Sequence, residues 1–560
     1  MYAEIRHHAM DNIKLNKTHP VLGTPLVLYE HQKECSQFVK KTLNRESWAA
    51  VLHDAGLGKT TTILACWTRM IKTNPNLRLI VSCPACTLRD VWEEHAKVWL
   101  PTSVSVIVID KTEKIDKLKD EDYDIILITR NIVARSYAKC WNWQEKSVTY
   151  TDAAGREREK GSFVKTFPAQ MSELFKKNRE RPTLLVVDES HYLRNYGDRK
   201  VCLQAHHQMA KYCEYAIINT ATPVCNKPED VAGQLYAIAV DKRGTTEDIK
   251  KAAFPQNWRI GKYIISQIPV DIFQNNSHRK TEEILDLPKL EIKTVSFELQ
   301  LKQKHAEIYN EHLSLAREAR TIMKEKGDKG GDLETMLEML KSLTRMSQMI
   351  VHPKLEEYGA ADLEDKHFRY IAKRPSPMLL ELSKLVKRLQ KKNNKIIIFG
   401  IHTNSIMEIA RQRIQLDFPN TTCSVYSGSL NQSKRSRTIK NFLAPTPQPQ
   451  ILFIQMIAGG VGLNLVPGPT AAIFIQQSWN PKDHLQAYKR IHRIGQYSKV
   501  KIYNLVCAGT PDAAIREVHE DKILAADAVL NPETFQRLND KPWRTKGRVV
   551  DLCELAATEE

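Results

Sequence analysis

Short, unbroken apolar runs recur along this chain, each followed by a stretch with helical spacing, and they fall into two blocks. The first block holds LRLIVSCP, YDIILITR, TLLVVDES and YAIINTATP; the second holds KIIIFG, TCSVYSG, ILFIQ, AAIFIQQ and KVKIYNLV. Strands that are apolar at every position are buried on both faces, and strands alternating with helices build parallel sheets. The pattern predicts an α/β chain of two lobes, at 25–245 and 376–525. Residues 1–24 read as an N-terminal extension and 526–560 as a C-terminal tail.

Between the lobes the periodicity changes. Residues 246–375 read as helical protrusions and a linker, with GDKGGD as a loop. The stretch LETMLEMLKSLTRMSQMI places Leu333, Met336, Leu337, Leu340, Leu343 and Met346 on one helical face, the pattern of a packed stripe. A polar insertion at 141–162 interrupts the first lobe and carries two tryptophans. It is either a surface for stacking bases or a plain surface hairpin. APTPQPQ (444–450) reads as a Pro-rich loop, and no repeat at solenoid periods is present.

Composition narrows the class. With 83 Lys plus Arg against 65 Asp plus Glu, the chain carries +18, a surplus that attracts polyanions and nucleic acid above all. No apolar run approaches a bilayer span, and MYAEIRHHAM lacks the apolar core of a signal peptide. No membrane partner is expected, and the protein is expected inside the cell: nuclear in a eukaryotic host or in a virus-infected nucleus, cytoplasmic otherwise. The 11 cysteines are scattered, and Cys66, Cys202 and Cys213 read as buried small hydrophobes of a reducing compartment. SCPAC has one CxxC pair, Cys83 and Cys86, with no second pair to complete a zinc set, leaving a redox pair or ordinary strand-end cysteines.

The chemistry begins at WAAVLHDAGLGKTTTILACW, which runs from a strand through a glycine-rich loop into a helix. Gly56-Leu57-Gly58-Lys59-Thr60 can wrap phosphates with backbone N–H groups at a helix N-terminus, with Asp54 and Thr61 flanking. Lys59 is placed to reach the β/γ-phosphates of ATP, and the Thr60 hydroxyl to bind Mg²⁺. About 130 residues on, TLLVVDESH ends a buried strand in Asp188 and Glu189. Asp188 is placed to hold Mg²⁺ through its water shell, and Glu189 to orient and deprotonate the attacking water. NPKDHLQAYKRIHRIGQ, in the second block, supplies Gln486, Arg490 and Arg493. The two arginines, three apart, share one helical face and can neutralise charge building on the γ-phosphoryl group. The glycines of AGGVGLNL (458–465) allow close backbone approach to phosphate or to a nucleic-acid strand.

DESH together with its P-loop resembles the superfamily-two helicases and translocases. SCPACTLRDVWEEH resembles their next strand–loop, and LYEHQ resembles the glutamine motif, in which Gln32 reads the adenine edge. TATP resembles the motif that couples ATP state to lobe movement, which implies coupling roles for His191, Thr220 and Thr222. AGGVGLNL, SWNPKDHLQAYKRIHRIGQ and GTPDAAI resemble the SWI/SNF-like branch. KIIIFGIHTNSI, VYSGSLNQSKRSRTIKNF, LTRMSQMIVHP and HRKTEEILDLPKL fit the same branch, so the resemblance covers about residues 25–525.

The resemblance implies two RecA-like lobes and ATP-driven translocation on double-stranded DNA without strand separation, remodelling or displacing protein–DNA complexes. It implies nucleotide contacts at Gly462 and Gln486 and catalytic roles for Glu189, Lys59, Arg490 and Arg493. Arg89, Arg130 and Lys434, which follow lobe strands, are either DNA-phosphate contacts or ordinary surface residues; Gly459, Gly460 and Asn464 belong to the tracking candidates. The chain departs from the family at Gln455-Met456-Ile457, where Ser, Thr and Arg are usual, and at His53-Asp54-Ala55 before GLGKT. Nucleosomes or transcription machinery are the implied partners, a monomer is assumed, and compact viral transcription-associated members are the nearest precedent. A strand-separating helicase and a DNA-binding scaffold with weak or no ATPase are the alternatives.

Overall fold

The apolar runs of the first block line up as a parallel sheet, each strand buried on both faces. The computed structural model describes residues 26–139, 181–194, 201–224, 230–238, 275–281, 287–325, 333–355, 363–456, 465–493 and 495–513. It also gives the backbone of strands at 142–151 and 157–166 and a few isolated positions. The first sheet is built from β1 (Trp48–Val51), β2 (Arg78–Cys83), β3 (Val106–Ile109) and β4 (Ile125–Thr129). Its other strands lie beyond the pair β5 (Asn142–Thr151) and β6 (Glu157–Thr166); they are β7 (Thr183–Asp188), β8 (Tyr215–Asn219) and β9 (Ser277–His278). Their order is β3-β4-β2-β7-β8-β1-β9, every neighbouring pair parallel. Helices α1 (Glu30–Glu46) and α2 (Lys59–Ile71) cover it, and Trp67, Ile63, Val39 and Leu43 close the core against Leu79, Val81 and Val186.

The second sheet has the order β10-β15-β14-β11-β13-β12. Its strands are β10 (Leu290–Phe297), β11 (Lys395–Gly400), β12 (Thr422–Tyr426), β13 (Gln450–Gln455), β14 (Ala471–Phe474) and β15 (Val500–Cys507). Again all pairs are parallel. Successive residues point to opposite faces of a strand, and two separate cores result. Ile396, Ile398, Phe453 and Ile473 pack on one face, while Ile397, Phe399, Leu452 and Phe474 pack on the other. This is why the strands read as continuous apolar runs rather than alternating ones. The chain divides into two compact units, the main break falling between residues 281 and 282.

Two strands lie inside the segment expected to be helical. Ser277–His278 joins the edge of the first sheet, too short for any periodic window, and Leu290–Phe297 is an edge of the second. Its exposed Lys293 and Thr294 and its paired Glu291 break the apolar run that marks the central strands. The helices themselves are present: α3 (Gln303–Glu325) and α4 (Leu333–Val351) pack through Ala316 and Ala319 against Met339, Leu343, Met346 and Met349. The stripe therefore differs from the expected one. Leu337 is exposed and Leu340 only half-buried, because α4 is apolar on more than one side and the small residues of α3 make room on the Met339 side. The insertion at 141–162 falls on β5 and β6, an antiparallel hairpin with Asn142 opposite Thr166. Cys66 and Cys213 are buried as expected, whereas Cys202 is half-buried, and Cys83 and Cys86 are free thiols. No helix among the described residues is long and apolar enough to cross a membrane.

Asp512, in the turn after β15, is buried, and that burial pushes its carboxyl up to about 7. The folded chain keeps this proton over a range where the unfolded chain has released it. The group's contribution to stability is therefore intact below the ordinary carboxylate range and is lost as pH rises towards 7. Asp512→Asn is expected to melt like wild type near pH 4 and several degrees higher at pH 8. The difference corresponds to at most roughly 4 kcal/mol. Equal melting temperatures for the two proteins at pH 8 would contradict it.

Candidate nucleotide-binding site

Because every strand of the first sheet runs the same way, the carboxyl ends of β1, β7 and β8 share one edge, where parallel α/β sheets present their ligand loops. Register places Val51 and Asp188 on either side of Asn219. The loop after β1 turns through Gly56 (φ 93°) and Gly58 (φ 73°), conformations that a side chain resists. Gly58 then caps α2, so the first N–H groups of that helix open onto the loop. Lys59 Nζ donates to the carbonyls of His53 (2.9 Å) and Asp54 (3.2 Å), lying across the loop it would have to release to reach a phosphate. Thr60 and Thr61 follow in the first turn of α2, Thr60 half-buried.

Gln32 is buried on α1, and its Oε1 accepts the Tyr29 N–H at 3.0 Å. A Cβ at position 58 would stand 2.2 Å from Gln32 Nε2. The residue expected to read adenine therefore sits against the phosphate loop, and a side chain at position 58 would force the Gln32 amide to move. Gly58→Ala combines this clash with an unfavourable φ. It is expected to weaken nucleotide binding by roughly ten- to a hundredfold, as 1–3 kcal/mol of local strain would. Titration with a fluorescent ATP analogue measures this; an unchanged Kd would refute it.

Asp188 is held from three sides. Its Oδ2 accepts Trp92 Nε1 at 2.8 Å, and its Oδ1 accepts Asn219 Nδ2 at 2.6 Å and the Glu189 N–H at 3.0 Å. Burial, and then the like charge of Glu189, push its carboxyl up to about 6. Such a carboxylate fits a divalent cation, whose charge restores the ionised form while the three donors fix its direction. Glu189 itself has φ 50° and ψ 48°, the left-handed conformation that non-glycine residues avoid and that concentrates at functional sites. Its Oε2 lies 3.2 Å from His191 Nδ1, which lies 2.8 Å from Thr220 Oγ1, and that oxygen accepts the Thr222 N–H at 3.1 Å. A row of polar groups thus runs from the expected base past each of the three residues expected to couple ATP state to movement, hydrogen-bonded from His191 onward and joined to Glu189 by close approach alone. Gln234 ties the same two loops together, accepting from Ser190 Oγ (2.7 Å) and donating to Pro223 O (2.6 Å).

Trp92, Asn219 and Gln234 escaped the sequence reading. Asn219 carried a signal, a polar residue closing the apolar run YAII. Trp92 and Gln234 carried none, because their roles depend on where separate loops meet.

In the second unit, α5 (Pro481–Tyr488) starts from an Asn480 cap whose Oδ1 accepts the Lys482 N–H at 3.2 Å. Gln486 is buried on it, and Arg490 and Arg493 follow in the next turns. Both guanidinium Nη1 atoms point at Leu463 O, 3.5 Å from each. Burial and the like charge of Arg490 push Arg493 down to about 10, so it stays cationic at neutral pH. Gly459, Gly460, Gly462 and Asn464 lie outside the described residues. Arg89 spans Glu93 (2.9 Å) and Asp110 (2.6 Å), which compensates its charge. The Arg130 guanidinium lies 3.8 Å over the Tyr192 ring, and Lys434 is an exposed side chain in the first turn of the helix Gln432–Leu443.

Two parallel sheets covered by helices, one with a P-loop and an Asp-Glu pair at its carboxyl edge, the Asp buried, define the paired RecA-like lobes of a helicase-like ATPase. Comparison with known families takes this a step further. Residues 31–355 match the SNF2-related domain and 379–495 the helicase conserved C-terminal domain, and the chain belongs to the SNF2-related family. Among curated relatives, it is 21% identical to the CHD3-type chromatin-remodeling factor CHR7 of Arabidopsis thaliana, covering 90% of this chain and 38% of that protein. It is 23% identical to the ISWI chromatin-remodeling complex ATPase ISW1 of Saccharomyces cerevisiae, covering 92% and 42%. It thus spans less than half the length of those remodellers. A probable global transactivator of Orgyia pseudotsugata multicapsid polyhedrosis virus is 24% identical over 87% of each chain. Among solved structures, the Sulfolobus solfataricus SWI2/SNF2 ATPase core in complex with dsDNA matches with a TM-score of 0.38 and 21% identity, over 91% of this chain and 94% of that one.

Proposed function

We propose that the chain is an ATP- and Mg²⁺-dependent translocase on double-stranded DNA that displaces or repositions bound proteins. The observation that carries this reading is the polar row Glu189–His191–Thr220–Thr222, which leads from the base of an ATP site to a second loop of the same lobe. A row of polar groups from a hydrolytic base to a neighbouring loop gives hydrolysis a route to loop movement, as a motor requires. Arg490 and Arg493 of the second lobe supply the positive charge for the transition state, so that hydrolysis depends on lobe closure. The backbone of the duplex is gripped through phosphates, with Lys434, Gly459, Gly460 and Asn464 as the contacts, which makes binding salt-sensitive and largely sequence-independent. The likeness to the viral transactivator over 87% of each chain supports a transcription-associated role.

The test is the ATPase rate with no nucleic acid, single-stranded DNA, duplex DNA and duplex RNA at one salt concentration. Selective stimulation by duplex DNA, followed by displacement of a third strand from a triplex, is the expected result. Stimulation by single strands with strand separation would instead make it an unwinding helicase, and no turnover under any condition would make it a scaffold.

A further inference from the structure

A second cluster of chemistry-bearing side chains lies behind the phosphate loop, and the nucleotide reaction does not use it. Cys35 on α1, His53 at the exit of β1 and His278 on β9 bring one ligand atom each to within 4.8 Å of one another. His53 Nε2 and His278 Nδ1 are 2.9 Å apart. The cluster draws on three elements, and the two histidines are 225 positions apart in the chain. Cys35 and His53 are fully buried, and His278 is half-buried, leaving a way in from solvent. His53 Nε2 faces His278; the other ring nitrogen, Nδ1, points away from it and is buried with no hydrogen-bond partner among the described residues.

We propose that Cys35, His53 and His278 form a site for a single zinc-class divalent ion, which staples α1, the entrance to the phosphate loop and the edge strand β9. One thiolate with two imidazoles is the borderline-soft donor set that selects zinc over magnesium or calcium. A tetrahedral zinc ion holds its nitrogen and sulfur ligands roughly 3.3–3.7 Å apart, given bonds of about 2.0–2.3 Å. The 2.9 Å and 4.8 Å separations bracket that spacing, so small side-chain rotations complete the set. Water takes the fourth position. The neighbouring carboxylate of Glu34 is paired with Lys280 at 3.0 Å. Binding converts the buried thiol to a thiolate and releases its proton to solvent. The backbone around the site is already tied together: Leu52 N–H donates to His278 O at 2.9 Å and Asp54 N–H to Lys280 O at 3.0 Å. The His53 carbonyl is also one of the two that hold Lys59. The ion therefore fixes the strand end from which the phosphate loop springs.

The experiment uses the full chain, stripped of metal with a chelator under a reductant that does not bind metal, and titrated with Co²⁺ and then Zn²⁺. The expected result is one equivalent of Co²⁺ with a thiolate-to-cobalt charge-transfer band and intense tetrahedral d–d absorption, displaced by Zn²⁺. Zinc at a hundredfold excess over its Kd is expected to raise the melting temperature by roughly 2–5 °C. Cys35→Ser should lose the charge-transfer band, and His278→Ala should bind at least tenfold more weakly, both losing the zinc-dependent rise in melting temperature. Melting of each variant without metal reports whether it folds; should Cys35→Ser fail, His278→Ala at the half-exposed edge carries the test. A charge-transfer band that is absent from wild type, or that survives Cys35→Ser, overturns the proposal. So does a zinc-dependent rise of equal size in wild type and His278→Ala.

Discussion

Replacing Glu189 by Gln is expected to cut ATP turnover by roughly 10²–10⁴-fold, while ATP and DNA still bind. The substitution keeps the shape of the side chain and removes its ability to take a proton from the attacking water. The left-handed backbone at Glu189 is the same cost for either residue, so folding should be unaffected. The His191–Thr220 bond at 2.8 Å does not involve the carboxylate, so that connection stays in place. The loss is therefore chemical rather than structural. Lys59→Ala should also abolish turnover, but with weaker nucleotide binding, because it removes the cation for the phosphates and the clasp on the His53 and Asp54 carbonyls. Phosphate release at saturating ATP and duplex DNA, beside a DNA-binding titration, separates the two. Equal turnover by wild type and Glu189→Gln would sink the base assignment.

Arg493→Ala should leave ATP binding nearly intact and lower hydrolysis by about 10³–10⁵-fold, the range that arginines of this kind contribute in related NTPases. Two arginines beside one carbonyl repel each other, and burial adds to the cost for Arg493. Removing one relieves that repulsion, so the variant should be at least as heat-stable as wild type. Stability retained with activity lost distinguishes a catalytic cation from a structural one. Arg493→Lys separates charge from shape: a point charge without the planar fork should recover only part of the rate. Unchanged turnover in Arg493→Ala would refute the role.

Much of this was legible in one dimension. Continuous apolar strands of four to eight residues belong to sheets buried on both faces, and the runs from LRLIVSCP to KVKIYNLV predicted the central strands of both sheets. The glycines at 56 and 58 announced a loop that needs positive φ, and the structure gives both that conformation. Asp188 and Glu189 were visible because carboxylates at the end of TLLVV have no reason to be there without a cation or a proton to handle.

What failed was local in another sense. The edge strands Ser277–His278 and Leu290–Phe297 were missed because an edge strand is half-solvated and loses the apolar signature, and because pairing, not sequence, defines it. On α4 the periodicity fitted two faces, and the choice of Met339 over Leu337 was made by the small residues Ala316 and Ala319 on the opposing helix.

The sequence by itself determined the two-sheet architecture, the phosphate loop and the acid pair, because each is written in residues close together along the chain. Only the tertiary structure decided that Trp92, Asn219 and Gln234 steady the acid pair and its neighbouring loop, and that Gln32 sits against Gly58. It alone gathered Cys35, His53 and His278. These groups come from segments up to 243 positions apart, as between Cys35 and His278. Asn219, His53 and His278 meet because parallel strands deliver their carboxyl ends to one edge, and helices packed on the sheet bring the rest, an arrangement no stretch of sequence contains.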